Sequence, residues 1–149
     1  RQMCIRDRCH RYLIVRSAWV YGIGRDFVST VLNAAADPTC PWLAVPTDRF
    51  ASPTSADDLT AAVEQLIDHD TLGIYHIVCQ GRCSRYDFAQ AILEAAHMED
   101  KLELHPIRAA DAGSTPSYTV LDNLMLRLDN LPQPRPWKEA LNEYINSLQ

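Results

Sequence analysis

The chain has 149 residues, enough for one domain with a buried core, and its 47% hydrophobic and 22% charged residues are ordinary for a globular protein. The formal charge is −5, with acids and bases interleaved. That balance argues against a nucleic-acid surface, which needs a basic patch, yet leaves room for one anionic ligand held by one or two placed cations. No apolar run approaches the length of a membrane span, and the charged first residues do not read as a secretory leader. Cys4, Cys9, Cys40, Cys79 and Cys83 make an odd count. Cys79 and Cys83 have no second cysteine pair or spaced histidines beside them, so no metal site is expected. Reduced thiols in a cytoplasmic protein are the expectation.

Residues 1–10, RQMCIRDRCH, carry neither a hydrophobic period nor turn chemistry. They are read as a non-native leader and set aside, which leaves 11–149 as the folding region. Tyr12-Leu13-Ile14-Val15 is a short unalternating apolar run, the pattern of a strand buried on both faces of a parallel sheet. A turn follows at Gly22-Ile23-Gly24. Phe27, Val28, Val31, Leu32 and Ala35 then recur at helical spacing, ahead of the helix-stopping Pro38. Trp42 to Val45 reads as a second strand that ends at Pro46. Ser55 is placed as the N-cap of a helix with Asp58 in its first turn and Leu59, Ala62, Val63, Leu66 and Ile67 as its buried stripe.

Gly73 to Val78 is a third strand, and Gly81 marks a turn. Ser84 caps the next helix with Asp87 at its third position and Phe88, Ala89, Ile92, Leu93 and Ala96 inward. Leu102 to Ile107 is a fourth strand, residues 109 to 118 a loop, and Thr119-Val120-Leu121 a brief pairing segment. A last helix follows Pro136, with Trp137, Leu141, Tyr144, Ile145 and Leu148 on one side. Strands alternate with helices, so the class is α/β. The first strand has nothing before it to pair with, which predicts an incomplete sheet and a chain truncated at its start.

Several blocks in this order carry a resemblance. Val15-Arg16-Ser17-Ala18-Trp19-Val20-Tyr21-Gly22, Gly24-Arg25-Asp26-Phe27-Val28 and Asp48-Arg49-Phe50-Ala51-Ser52-Pro53-Thr54 come first. Ser84-Arg85-Tyr86-Asp87-Phe88-Ala89, Pro116-Ser117-Tyr118-Thr119-Val120-Leu121-Asp122-Asn123 and Trp137-Lys138-Glu139-Ala140-Leu141 follow. Together they resemble the dTDP-4-dehydrorhamnose reductases, members of the extended short-chain dehydrogenase/reductase superfamily, over about residues 11–149. The resemblance implies a Rossmann-like fold of which this chain is the C-terminal part, mainly the substrate-binding lobe. It implies reduction of the 4-keto group of a dTDP-linked deoxysugar by NADPH or NADH, in a protein that is a homodimer in its full-length form. The family's glycine-rich fingerprint is not found in this chain. No Tyr-x-x-x-Lys occurs either: Lys101 and Lys138 are its lysines, and neither follows a tyrosine at that spacing. No catalytic residue is therefore assigned.

Trp19 sits just past a strand's carboxyl end, where α/β sheets place ligands, and the resemblance makes its indole a contact for the sugar. Against that stands the ordinary reading of a core tryptophan packed under a loop. Tyr21 is a further substrate-binding candidate, set against plain packing in a Val-Tyr-Gly turn. Ser17 lies where the family's chain passes the nicotinamide, or is a strand-end hydroxyl bonded to backbone. Arg49 is placed on the nucleotide's phosphates, where a guanidinium binds bidentately, or is a solvated arginine beside Asp48 or Asp57. Two positions depart from the family: Thr115 stands where an arginine is usual, and Ala51 where glycine is usual, at a cost if φ is positive there. The histidines have no partner that sequence places, and no catalytic triad is read. Two other functions stay open. One is a regulatory, non-catalytic relative such as the β subunit of methionine adenosyltransferase. The other is another nucleotide-sugar reductase or epimerase.

Overall fold

The computed structural model describes residues 2–109 and 117–148, so Thr115 lies outside the described residues. In chain order the elements are α1 (Gln2–Arg8), β1 (Leu13–Arg16), β2 (Val20–Tyr21), α2 (Phe27–Ala36), β3 (Trp42–Pro46), β4 (Phe50–Ala51) and β5 (Thr54–Ser55). They continue with α3 (Ala56–Asp68), β6 (Gly73–His76), β7 (Cys83–Ser84), α4 (Arg85–Ala96), β8 (Glu103–Ile107), α5 (Leu124–Leu128) and α6 (Trp137–Ser147). Four two-stranded pairings connect the described strands: β1–β6, β2–β5 and β3–β8 parallel, and β4–β7 antiparallel.

The helix starts are dictated locally. Asp26 caps α2 in a reciprocal box with Ser29, and Ser84 caps α4 in another with Asp87, whose carboxylate accepts from Ser84 N at 3.0 Å. Ser55 caps α3 by accepting from Asp57 N at 3.2 Å. Each such cap satisfies amides that the first turn leaves without helical partners, and loss of one costs about 1 kcal/mol.

Two apolar clusters follow from the helix stripes. The larger joins α2, β3, α4 and α6 through Val28, Val31, Val45, Phe88, Ile92, Leu141 and Ile145, all buried. The smaller joins α3, β6 and α5 through Ala62, Leu66, Tyr75, Ile77 and Leu126. Burying one such large side chain stabilises by about 1.5–3 kcal/mol. Two expected core positions face water instead: Ile67 is 64% exposed and Leu148 53%. β1 is also less enclosed than its apolar run predicts. Ile14 is buried but Leu13 and Val15 only half so, because β6 is its one partner strand among the described residues.

Close backbone approach explains two glycines. A Cβ on Gly22 would meet Ala56 Cβ at 2.8 Å, and Tyr144 donates its hydroxyl to the Gly22 carbonyl at 2.7 Å. Gly81 has φ +94°, and a Cβ there would meet the Trp137 ring at 3.0 Å. Ala51, by contrast, lies in the β4 pairing and is not among the residues with positive φ, so alanine brings no left-handed strain there.

Candidate functional site

β1 and β6 run side by side in the same direction, and the chain leaves β1 directly into Ser17, Ala18 and Trp19. Open α/β sheets take ligands in the crevice outside such strand ends. A cavity of about 420 Å³ lies here, lined by Ser17, Ala18, Trp19, Arg49, Arg85, Thr119 and Leu121. Residues distant in sequence thus converge: the end of β1, the residue before β4, the first residue of α4, and the segment following the undescribed residues 110–116. Another cavity, of about 320 Å³ beside α4 and β8, is lined by Glu94, Glu99 and Glu103 and by no cation, a surface that repels anions.

Trp19 has φ +42°, a conformation that a bulky residue rarely adopts and that costs about 1–3 kcal/mol. The strain is held by its surroundings. Trp19 O accepts from Thr54 N at 3.2 Å, and the indole stacks on Phe88 at 6.3 Å and 25°. Strain of this kind concentrates at ligand sites. The ring does not simply face the cavity as a bare wall, because the Arg85 guanidinium lies over it at 4.2 Å.

Arg49 lines the cavity, and its Nη2 donates to the Ala109 carbonyl at 3.4 Å. Asp48, a conceivable partner for it, accepts from Ala109 N at 2.7 Å. The two neighbours thereby pin the chain where it enters 110–116. Ser17 also lines the cavity, but its Oγ is shielded from solvent and has no hydrogen-bond partner among the described residues, unusual for a buried hydroxyl. Tyr21 does not join them. It is 2% exposed, packed at 5.7 Å on Phe88 and 5.5 Å on Tyr144. Its burial raises the hydroxyl pKa, and it is absent from the cavity lining. Tyr21, expected to touch substrate or to pack in its turn, is packed in the core, because β2 turns its side chain inward against α4 and α6.

Arg85 is the site residue that sequence reasoning missed. It opens α4 directly after the Ser84 cap, and its backbone N donates to the Arg49 carbonyl at 2.8 Å. Burial, and next the charge of Arg49, push its pKa down to about 10, so it remains cationic at neutral pH. The signal available in sequence was its position: a cation in a helix's first turn opposes the dipole, which invites a reason for its presence.

Two guanidinium groups and an indole, with no carboxylate in the lining, suit an anion joined to a flat or apolar group. The turn after β1 and β2 does not form the phosphate-binding turn of a dinucleotide site. Gly22 uses its missing side chain to pack on Ala56 rather than to admit a phosphate, and the chain contains no glycine-rich strand–turn–helix fingerprint.

The fold is that of Rossmann-like proteins of the extended short-chain dehydrogenase/reductase type, matched over about half of their chains. More narrowly, the chain belongs to the RmlD substrate binding domain family, whose model matches residues 2–149. It is 39% identical over 134 residues to the spore coat polysaccharide biosynthesis protein SpsK of Bacillus subtilis, covering 89% of this chain and 46% of that protein. It is 36% identical over 143 residues to the dTDP-4-dehydrorhamnose reductase of Mycolicibacterium smegmatis, covering 89% and 41%. Among solved structures, the dTDP-4-dehydrorhamnose reductase of Bacillus anthracis, in complex with NADP, superposes with a TM-score of 0.92 at 28% identity, over 99% of this chain and 52% of that one. The chain thus spans about half the length of the relatives it matches. No described helix is long and apolar enough to cross a membrane, and no cluster of metal-binding side chains occurs among the described residues.

Proposed function

We propose that this chain is the carboxy-terminal, substrate-binding part of a dTDP-4-dehydrorhamnose reductase. That enzyme reduces the 4-keto group of dTDP-4-dehydro-L-rhamnose with NADPH or NADH to give dTDP-L-rhamnose. The observation that carries the proposal is the convergence of Trp19, Arg49 and Arg85 on one cavity beside the carboxyl end of β1, in a chain of this family. Arg49 and Arg85 take the diphosphate of the nucleotide sugar, and the part of Trp19 that Arg85 leaves bare contacts the deoxysugar. Ser17, whose Oγ lacks a partner among the described residues, would meet the nicotinamide side of the cofactor in the longer enzyme. When bound to the longer enzyme, the cofactor supplies the hydride. The residues of this chain bind and orient the substrate, and the Tyr-x-x-x-Lys pair of the reductases is not among its 149 residues. On this reading the longer enzyme is a cytoplasmic homodimer that binds neither nucleic acid nor membrane. The names of the relatives favour the reductase over a regulatory relative.

The test is a titration of the chain with dTDP followed by tryptophan fluorescence. Saturable micromolar binding that Trp19→Ala weakens at least tenfold is expected. Folded protein that ignores dTDP refutes the proposal.

A further inference from the structure

The Arg85 guanidinium lies 4.2 Å from the Trp19 ring centroid and 4.0 Å from that of Phe27. Two aromatic rings therefore hold one cation, although Phe27 itself does not line the cavity. A stacked guanidinium uses its face for the rings and keeps its five N–H donors in its plane. No hydrogen bond or ion pair joins those donors to another described residue, while the two rings lie against the guanidinium. The larger influences nearby oppose a cation there. Burial disfavours the charge, Arg49 repels it, and the α4 amino terminus points its positive end at it. A partly desolvated cation with a like-charged neighbour and no acid is a poor choice for stability and a good one for an anion receptor.

We infer that Arg85 is the anion-reading residue of the cavity, and that Trp19 and Phe27 are its positioning platform, stacking the guanidinium so that its planar fork is presented to a phosphoryl group. The inference deepens the proposed function and rests on reading the cavity as a nucleotide-sugar site. It changes the part assigned to Trp19, whose indole serves Arg85 as well as the sugar. Its strained backbone has a purpose here: φ +42° is what brings the ring under the guanidinium. A side chain ordered before the ligand arrives loses less entropy on binding, and the bidentate fork favours phosphoryl oxygens over a single-point anion.

Calorimetric titration of the chain with inorganic pyrophosphate, thymidine and dTDP tests this. Arg85→Gln is expected to weaken pyrophosphate and dTDP at least tenfold and to leave thymidine unchanged. Arg85→Lys, which keeps the charge but not the fork, should stay nearer the Gln variant than the native protein. Phe27→Leu, outside the cavity, should weaken pyrophosphate about fivefold, the scale of one cation–π contact, while Phe27→Tyr keeps native affinity. In the Arg85→Gln background, Phe27→Leu should have no further effect. Pyrophosphate binding that is absent from the native chain, or unchanged by Arg85→Gln or Phe27→Leu, overturns the inference, as do simply additive losses. If pyrophosphate follows the expected pattern but dTDP binds no better than pyrophosphate, the nucleotide-sugar reading fails and the anion receptor stands.

Discussion

Asn123→Leu isolates the bond that places one wall of the cavity. Asn123 is 4% exposed, and its side chain closes a pair of hydrogen bonds on Val78, itself 2% exposed. Val78 N donates to Oδ1 at 2.9 Å, and Nδ2 donates to Val78 O at 2.7 Å. Leucine keeps the volume but strands both main-chain groups where water cannot replace the partner. A buried unsatisfied group costs about 1–3 kcal/mol, and the added apolar burial returns about 1 kcal/mol, so the net loss is about 3 kcal/mol. For a chain of this size that lowers Tm by about 6–12 °C. Thermal and urea unfolding followed by circular dichroism measure it. Because Thr119 and Leu121 line the cavity just upstream, dTDP affinity should fall in the same variant under conditions where it is folded. A stability loss under about 1 kcal/mol would refute the reasoning, since two stranded groups cannot be that cheap at this burial.

Three further outcomes are expected. Burial pushes the thiol pKa of Cys79 up to about 11 and of Cys83 up to about 12, so a disulfide reagent at neutral pH should modify exposed Cys4 and Cys9 first and reach these two only on denaturation; their rapid modification in the folded chain would be contrary. Arg135 holds the Glu143 carboxyl, and Arg127 the Asp122 carboxyl, below the ordinary carboxylate range. Depressed folded-state values mean that this stabilisation is complete above the ordinary carboxylate range and is lost as pH falls through the depressed values, so urea midpoints should hold steady from neutral pH and drop in acid, with a shallower drop in Glu143→Gln. An unaltered acid profile in that variant would count against the pairing. Finally, the chain alone should show no saturable NADPH binding by nicotinamide fluorescence, and clear micromolar saturation would overturn the assignment of this stretch to substrate.

Helices α2, α3, α4 and α6 were legible because their signals are local. Ser55 and Ser84 announce their caps within three residues, and the spacing of Val28, Val31 and Ala35 or of Phe88, Ile92 and Leu93 marks a face without reference to anything distant. The two-residue strands β2, β4, β5 and β7 were not, because a segment that short has no period of its own and exists only through its partner, as Phe50 does through Ser84 on one side and Tyr118 on the other. α5 escaped for the same reason, being five residues long and fastened chiefly by buried Leu126. Ile67 and Leu148 fit their helical stripes but lie at helix ends, where the stripe runs past the surface that covers it.

Within the cavity, sequence placed Ser17 and Trp19 just past β1, where the family resemblance gave them roles, and offered Arg49 as a phosphate-binding guanidinium. Tertiary structure alone decided which of them meet. It turned Tyr21 into the core, brought Arg85 over the indole, and set Phe27 on the guanidinium's other contact. Charge and ring stacking act through space over a few ångströms, while the residues concerned are dozens of positions apart, and no periodicity in the chain encodes that distance.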